Sequence, residues 1–465
     1  MISIDNVSVT LAGRQILDNI SLVIGSDQCW AVTGASGSGK TTFAKVLTGS
    51  VFHQGVVRYS GFNEDPVIQF VPQEHQFRNA QNTNDLYYQQ RYNSTESDDS
   101  LKVGDLVNGD SDWVKLLHLD GLLGRPLLQL SNGENKRLQL AQKLASNPRI
   151  LILDNPFLGL DADARRVLDE VLSHLVKNGL QVILITTSQS LPDWITHVAL
   201  LDEGCLKFAG ARGDLPSQAP NPKTFQGFEQ LLSFAAPPTA EFDIAIRMHK
   251  VNIEYEQKHV LRDIDWIVKK GECWSLSGPN GAGKSTLLSL VTGDNPQAYA
   301  NEIYLFDRRR GTGESIWDIK RNIGFVSPEL HLYFNQSSSC SEVVASGLFD
   351  TIGLFRVLSD EQQILVDKWL EVLGLGNCRH RSLQAMSRGE QRLAMLGRAL
   401  MKNPPMLILD EPTQGLDQQQ VDFFKGLVDF VCNVFGTTLI YVSHYVEDIP
   451  GCVKYFIRLE DGRVV

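Results

Sequence analysis

Two eight-residue stretches constrain the fold of this chain more than any other feature. Gly34-Ala35-Ser36-Gly37-Ser38-Gly39-Lys40-Thr41 and Gly278-Pro279-Asn280-Gly281-Ala282-Gly283-Lys284-Ser285 share the form GxxxxGK[ST]. Each follows a short apolar run (Trp30 to Val32; Trp274 to Leu276) and precedes a helical pattern (Phe43 to Leu47; Leu287 to Val291). Glycines between a strand and a helix let backbone N–H groups turn inward around phosphates, and the helix N-terminus adds a favourable dipole. The spacing assigns Lys40 and Lys284 to the β/γ-phosphates and Thr41 and Ser285 to Mg²⁺. Thr42 and Thr286, next in each helix, complete the two nucleotide-binding sets.

The chain of 465 residues is too long for one ordinary domain and fits two of roughly 200 residues each. Apolar residues at 43% suffice for packed cores, and 21% charged residues are near the globular average. A net charge of −11 argues against broad binding to a phosphate backbone, so no nucleic-acid partner is expected. The seven cysteines are scattered without a Cys-x-x-Cys pair, which disfavours zinc ribbons and suits a reducing cytosol. No secretory leader is evident after Met1. The best apolar stretch, Val343 to Leu358, contains Asp350 and Arg356 and falls short of a membrane span.

The chain repeats itself. Cys29-Trp30 matches Cys273-Trp274, and Lys40 matches Lys284, at an offset of 244 (284 − 40). Ser131 matches Ser387 and Asp154 matches Asp410 at 256 (410 − 154), so the second half carries extra loop length between these motifs. Each half opens with alternating apolar residues (Ile2, Ile4, Val7, Val9; Ile246, Met248, Val251, Ile253), the mark of antiparallel strands. Continuous runs before Asp154 and Asp410, and at Val182 to Ile185 and Leu439 to Val442, predict buried parallel strands. The expected class is α/β, with two tandem phosphate-loop domains, each a mostly parallel sheet with an antiparallel β part and a helical part. The expected boundaries are 1–215, a Pro-rich linker over 216–245, and 246–465. Within the linker, Phe225, Phe228, Leu231, Leu232 and Phe234 are spaced to pack on one half. The polar stretch Gln81 to Ser100 predicts a loop, and Arg308-Arg309-Arg310 a solvated hairpin. Trp30 and Trp274 are expected in core packing.

Downstream lie Leu130-Ser131-Asn132-Gly133-Glu134 and Met386-Ser387-Arg388-Gly389-Glu390, each 23 residues before the Asp that ends an apolar run (154 − 131; 410 − 387). Taken alone, Ser131 and Ser387 read as helix N-caps with Glu at the third position. The order of motifs resembles the ATP-binding-cassette (ABC) ATPase family over nearly the whole chain. That resemblance implies two composite sites. Ser131 and Gly133 would cap the nucleotide on Lys284, and Ser387 and Gly389 the one on Lys40. It implies Mg²⁺ at Asp154 and Asp410, directly or through water. It also implies a water-polarising carboxylate at Glu411, where the first half has Asn155, and a γ-phosphate histidine at His444, where the first half has Thr187. Tyr255 would stack on adenine; Leu11 is its counterpart. Gln73 matches the family's glutamine near Mg²⁺, whereas the second half has Pro328 there, leaving Ser327 or Glu329 to substitute. Asp161 and Asp417 resemble the loop that crosses the domain interface in this family. The expectation is hydrolysis mainly at the Lys284 site, since losing a general base removes about 10²–10⁴ in rate.

The stretches Ser285 to Asp294, Asn301 to Gly311 and Ile316 to Lys320 resemble the ModF/PhrA-type twin ABC ATPases. That resemblance implies a cytoplasmic ATP-binding subunit associated with molybdate-type transport, docked on a separate membrane permease. The docking surface would lie between Gln73 and Ser131 and between Pro328 and Ser387. The given sequence runs 21 residues past His444, so no extra C-terminal anion-sensing domain is expected (465 − 444). The alternatives are a soluble ATP-driven switch on a nucleic-acid or translation machine, and a low-turnover ATP sensor.

Overall fold

The computed structural model describes the chain except residues 12, 36, 62–66, 74–100, 110, 128–129, 131, 161, 187–190, 216–227, 229–233, 235–239, 256–257, 328–329, 336 and 444, and the side chains of residues 14, 132, 162, 258, 331 and 332. It divides into two units, Met1–Ala219 and Pro220–Val465.

In the first unit, β1 (Ile2–Leu11) pairs antiparallel with β2 (Arg14–Ile24). The chain continues through β3 (Trp30–Thr33), α1 (Lys40–Leu47), β4 (Gln54–Tyr59), β5 (Ile68–Val71) and α2 (Asn132–Leu144). It ends with β6 (Ile150–Asp154), α3 (Ala162–Lys177), β7 (Gln181–Ile185), β8 (His197–Asp202) and β9 (Cys205–Ala211). One sheet has the order β2-β1-β4 and is antiparallel. The other has the order β5-β6-β7-β3-β8-β9, parallel throughout except for β9.

The second unit repeats this plan. Its antiparallel sheet joins β10 (Ile244–Tyr255), β11 (Lys258–Lys269), β13 (Glu302–Leu305) and β14 (Arg308–Arg309). Its six-stranded sheet has the order β15-β16-β17-β12-β18-β19. Those strands are β12 (Cys273–Ser277), β15 (Ile323–Val326), β16 (Met406–Asp410), β17 (Thr438–Val442), β18 (Tyr455–Glu460) and β19 (Arg463–Val464). Its main helices are α4 (Lys284–Val291), α5 (Asp360–Val372), α6 (Arg388–Leu400) and α7 (Gln418–Phe435).

The continuous apolar runs exist because both faces of these strands are covered. Side chains alternate across a strand. Accordingly, Ile150 and Ile152 pack with β1 and α1 residues such as Ile4, Val7 and Phe43, while Leu151 and Leu153 pack with Leu138 of α2 and Leu172 of α3. In the second unit Met406 and Ile408 face one core, and Leu407 and Leu409 the other. Trp30 is buried and stacks on His197 with ring centroids 5.0 Å apart; Trp274 stacks on Tyr455 at 5.1 Å. Both tryptophans therefore serve core packing.

Of the linker, Phe228 and Phe234 are described. Phe228 lies 5.5 Å from Phe423 and 5.9 Å from Phe430, and Phe234 meets Trp369 edge-on at 5.7 Å, so both pack on the second unit. One expectation needs correction. Arg308 and Arg309 are exposed, but Arg310 is only 4% exposed and is not solvated. Its Nη1 donates to Glu314 at 2.6 Å, and its guanidinium lies over the Tyr299 ring. Burying the pair secures the hairpin, and it removes one cation from the presumed basic run. The loop expected over Gln81 to Ser100 lies outside the described residues. Among the described residues, no helix is long and apolar enough to cross a membrane.

Ile408→Ala should lower the second unit's stability by about 2–5 kcal/mol, because it empties a site walled in by the sheet and β10. A fall in the denaturant midpoint of that unit's unfolding is the expected readout.

Candidate functional site

Both phosphate loops sit at the C-terminal end of a central strand, β3 or β12, where doubly wound sheets place ligands. Their backbones coincide. Gly34, Gly37 and Gly39 have φ of 140°, 83° and 96°; Gly278, Gly281 and Gly283 have 142°, 81° and 98°. A Cβ on Gly34 would lie 1.9 Å from the Leu201 carbonyl oxygen, and one on Gly278 would lie 2.2 Å from that of Leu459. Left-handed backbone and lack of space together demand glycine there. Lys40 Nζ donates to the carbonyls of Gly34 (2.9 Å) and Ala35 (2.7 Å); Lys284 Nζ donates to those of Gly278 (2.6 Å) and Pro279 (3.0 Å). Each ammonium thus folds back over its own loop, a position from which it can swing to an incoming phosphate.

The strand-end acids stand beside these loops. Thr41 Oγ1 donates to Asp154 Oδ2 at 2.8 Å. Asp154 is 3% exposed, whereas Thr41 and Ser285 face solvent and Asp410 is half-buried. Ser38 Oγ, buried in the first loop, has no hydrogen-bond partner among the described residues. A glycine cradle, a lysine, a hydroxyl and a carboxylate form a donor set that fits a triphosphate with Mg²⁺.

The residue after each acid is held in an unusual backbone. The Asn155 N–H donates to the Ile185 carbonyl (2.9 Å), and the Glu411 N–H to that of Val442 (3.0 Å). Both residues have φ of 44°. Asn tolerates left-handed backbone; Glu does so at a cost. The Asn155 amide donates to Gln73 Oε1 and Asp154 Oδ1, each at 3.3 Å, so it is tied into the first site.

Ser387 caps α6. Its hydroxyl accepts from the Glu390 N–H (3.3 Å), and Glu390 Oε2 accepts from the Ser387 N–H (2.7 Å). The hydroxyl also donates to the Glu390 carboxylate, so a phosphate oxygen would compete with that carboxylate for its proton. Burial pushes the Glu390 carboxyl up. The Cys378 thiol, the Ser387 donors and Arg381 outweigh that and hold it below the ordinary range. A Cβ on Gly389 would meet the Gln420 amide at 2.2 Å, and one on Gly133 would meet Ala164 at 2.9 Å, so both glycines also serve helix packing. Asp417 caps α7 through the Gln420 N–H (2.9 Å). Tyr255 ends β10, and its hydroxyl accepts from buried Asn295 at 2.9 Å; Leu11, at the matching end of β1, is exposed. Ser131, His444, Asp161, Thr187, Pro328 and Glu329 lie outside the described residues.

Sequence reasoning missed a pair of buried cations. Lys136 Nζ donates to the Pro72 carbonyl at 2.7 Å, beside Gln73, and Arg392 Nη1 donates to the Ser327 carbonyl at 2.9 Å. Both sit five residues after the motif serine (136 − 131; 392 − 387), and a base at that place in both repeats was the available signal. Burial lowers Lys136 from 10.5 to about 8, with Asp154 opposing.

Duplicated phosphate loops with strand-end acids define a twin P-loop nucleotide-binding protein. The family model for the ABC transporter matches residues 17–158 and 261–414, and the chain belongs to that family and is an ATPase of its class. It is 36% identical to the ABC transporter ATP-binding protein ModF of Escherichia coli (strain K12), over 97% of this chain and 94% of that protein. It is 30% identical to an uncharacterised ABC transporter ATP-binding protein of Schizosaccharomyces pombe (strain 972), over 97% and 96%. Its fold resembles that of the RNase-L inhibitor, at TM-score 0.60 and 19% identity over 97% of this chain and 87% of that one. The full-length match to ModF makes this a ModF-type twin protein.

Two outcomes follow. Glu411→Asn, copying Asn155, should raise the second unit's stability by about 1 kcal/mol through relief of left-handed strain, seen as a higher midpoint without nucleotide. Lys136 binds fewer protons folded than unfolded between pH 8 and 10.5. The Lys136 contribution to stability, read as the difference between wild type and Lys136→Arg, should therefore rise with pH across that window by roughly 3 kcal/mol at most. Arg stays charged throughout, so urea midpoints of the two proteins at several pH values will show the rise.

Proposed function

We propose that the chain binds two ATP molecules and hydrolyses mainly the one on Lys284. The observation that carries this reading is the pair of matching backbones at Asn155 and Glu411, which differ in side-chain chemistry. In this reading Glu411, which follows the strand-end aspartate on a left-handed turn, takes a proton from the attacking water. An amide in that place accepts none at neutral pH. Lys40, Thr41, Thr42, Gln73 and Asp154 bind one nucleotide with Gly34, Gly37 and Gly39. Lys284, Ser285, Thr286 and Asp410 bind the other with Gly278, Gly281 and Gly283. Tyr255 contacts adenine and His444 the γ-phosphate. Mg²⁺, held by Thr41 with Asp154 or by Ser285 with Asp410, would offset the phosphate charge. On ATP binding the two units close on one another. Ser131 and Gly133 then meet the nucleotide on Lys284, and Ser387 and Gly389 the one on Lys40. Hydrolysis reopens them, a two-state switch set by the γ-phosphate.

The task we infer is to drive a membrane permease from its cytoplasmic face, in transport of the molybdate type. The likeness to ModF, an ABC transporter ATP-binding protein, supports the transport part of this reading. Exposed apolar side chains in the second unit do too. Ile352 (45%), Phe355 (80%), Val357 (98%) and Ile364 (55%) lie between Pro328 and Ser387, the stretch expected to carry the docking surface. A soluble switch on a translation or nucleic-acid machine predicts instead ATP-dependent ribosome or DNA binding at physiological salt.

Lys284→Ala and Glu411→Gln should abolish steady-state ATPase activity. Asn155→Ala should change it little, and Lys40→Ala should mainly weaken nucleotide binding. The Glu411→Gln protein, trapped with ATP, should co-purify with a permease, and Phe355→Ala with Val357→Ala should release that partner while leaving ATP binding intact. An ATP-trapped protein that pulls down ribosomes and no membrane protein contradicts the transport reading.

A further inference from the structure

Away from both phosphate loops, three thiols converge in the second unit. Cys273 begins β12, Cys432 lies in the last turn of α7, and Cys452 precedes β18. All three are buried, and their Sγ atoms lie within 4.8 Å of one another. The cluster stands at the opposite end of β12 from Gly278.

Buried cysteines often act as small apolar core residues. The internal repeat argues against that role for this cluster. Cys273 matches Cys29, and Cys432 matches Val176 at the 256 offset. The strand registers Trp30 with His197 and Trp274 with Tyr455 align Cys452 with Trp194. Cys29, Val176 and Trp194 pack in one core of the first unit. Packing at this place therefore needs one thiol and two apolar side chains, whereas the second unit supplies three thiols from three separate elements.

The geometry suits a soft cation. With metal–sulfur distances of about 2.3 Å, three ligands around one ion stand about 4 Å apart, so the sulfurs need to close by less than about 1 Å. One ligand is already supported from behind: the Asp429 carboxylate accepts from the backbone N–H groups of Gly451 (3.1 Å) and Cys452 (2.6 Å). Asp429 lies three residues from Cys432 on the same helix, which couples two of the ligands through one rigid element. Among the described residues, no His, Asp or Glu completes the group. Three sulfurs without oxygen ligands favour thiophilic ions over Mg²⁺ or Ca²⁺.

We propose that Cys273, Cys432 and Cys452 form a three-thiolate site for one soft metal cation, which pins the start of β12 to α7 and to the segment before β18. The test titrates full-length protein, reduced and stripped with a chelator, anaerobically with Cd²⁺ and separately with Cu⁺. The expected result is one ion per chain, with sulfur-to-cadmium charge-transfer absorption and a raised Tm. Cys432→Val installs the residue found in the first unit; it should fold and lose the absorption, and Cys452→Ala should lose it independently. Cys29→Ala should still bind one ion. Binding of only one of the two ions supports the site and identifies its preference. No binding by reduced wild-type protein, a disulfide as the cluster's only chemistry, or an undiminished absorption in both Cys432→Val and Cys452→Ala would overturn the proposal.

Discussion

The turn that follows each strand-end aspartate governs the rest of the site. A backbone N–H of residue 155 or 411 reaches across to the neighbouring strand, and the chain then passes through left-handed φ. This fixes where the next side chain starts, independent of what it is. The same backbone presents an amide in one unit and a carboxylate in the other. Strain is tolerated at Glu411 because the surrounding strands over-determine the turn, a pattern associated with functional positions. The proposed division of labour between the two nucleotide sites rests on this single difference.

The fold that supports the turn follows from burial. A parallel sheet covered on both faces makes each central strand continuously apolar. It also delivers the phosphate loop and the aspartate to the same sheet edge, since β3 lies beside β7 and β7 beside β6. Thr41 and Asp154 are 113 positions apart in sequence yet hydrogen-bonded in space. The second unit repeats the strand order with β12, β17 and β16.

Much of this was legible in the sequence because it depends on local pattern. Glycine loops, two-fold alternation and continuous runs each have a short period, and the duplication allows one copy to check the other. The N-cap at Ser387 and the packing of Trp30 and Trp274 were legible for the same reason. Contacts set by tertiary distance were not. The seat of Lys136 beneath Gln73, the Asn295 hydrogen bond to Tyr255, the burial of Arg310 on Glu314, and the meeting of three cysteines spread over Cys273 to Cys452 all require the chain to be folded first. In Arg310 a run of like charges suggested solvent, and a partner four residues on, Glu314, changed the outcome.

The asymmetry is tested most directly by counting nucleotides after one closure. Wild-type protein loaded with labelled ATP and Mg²⁺, quenched within a single turnover and freed of unbound nucleotide, should retain one ADP and one intact ATP per chain, with the ADP lost from the count in Glu411→Gln. Two ADP per chain, formed at equal rates, would contradict the account.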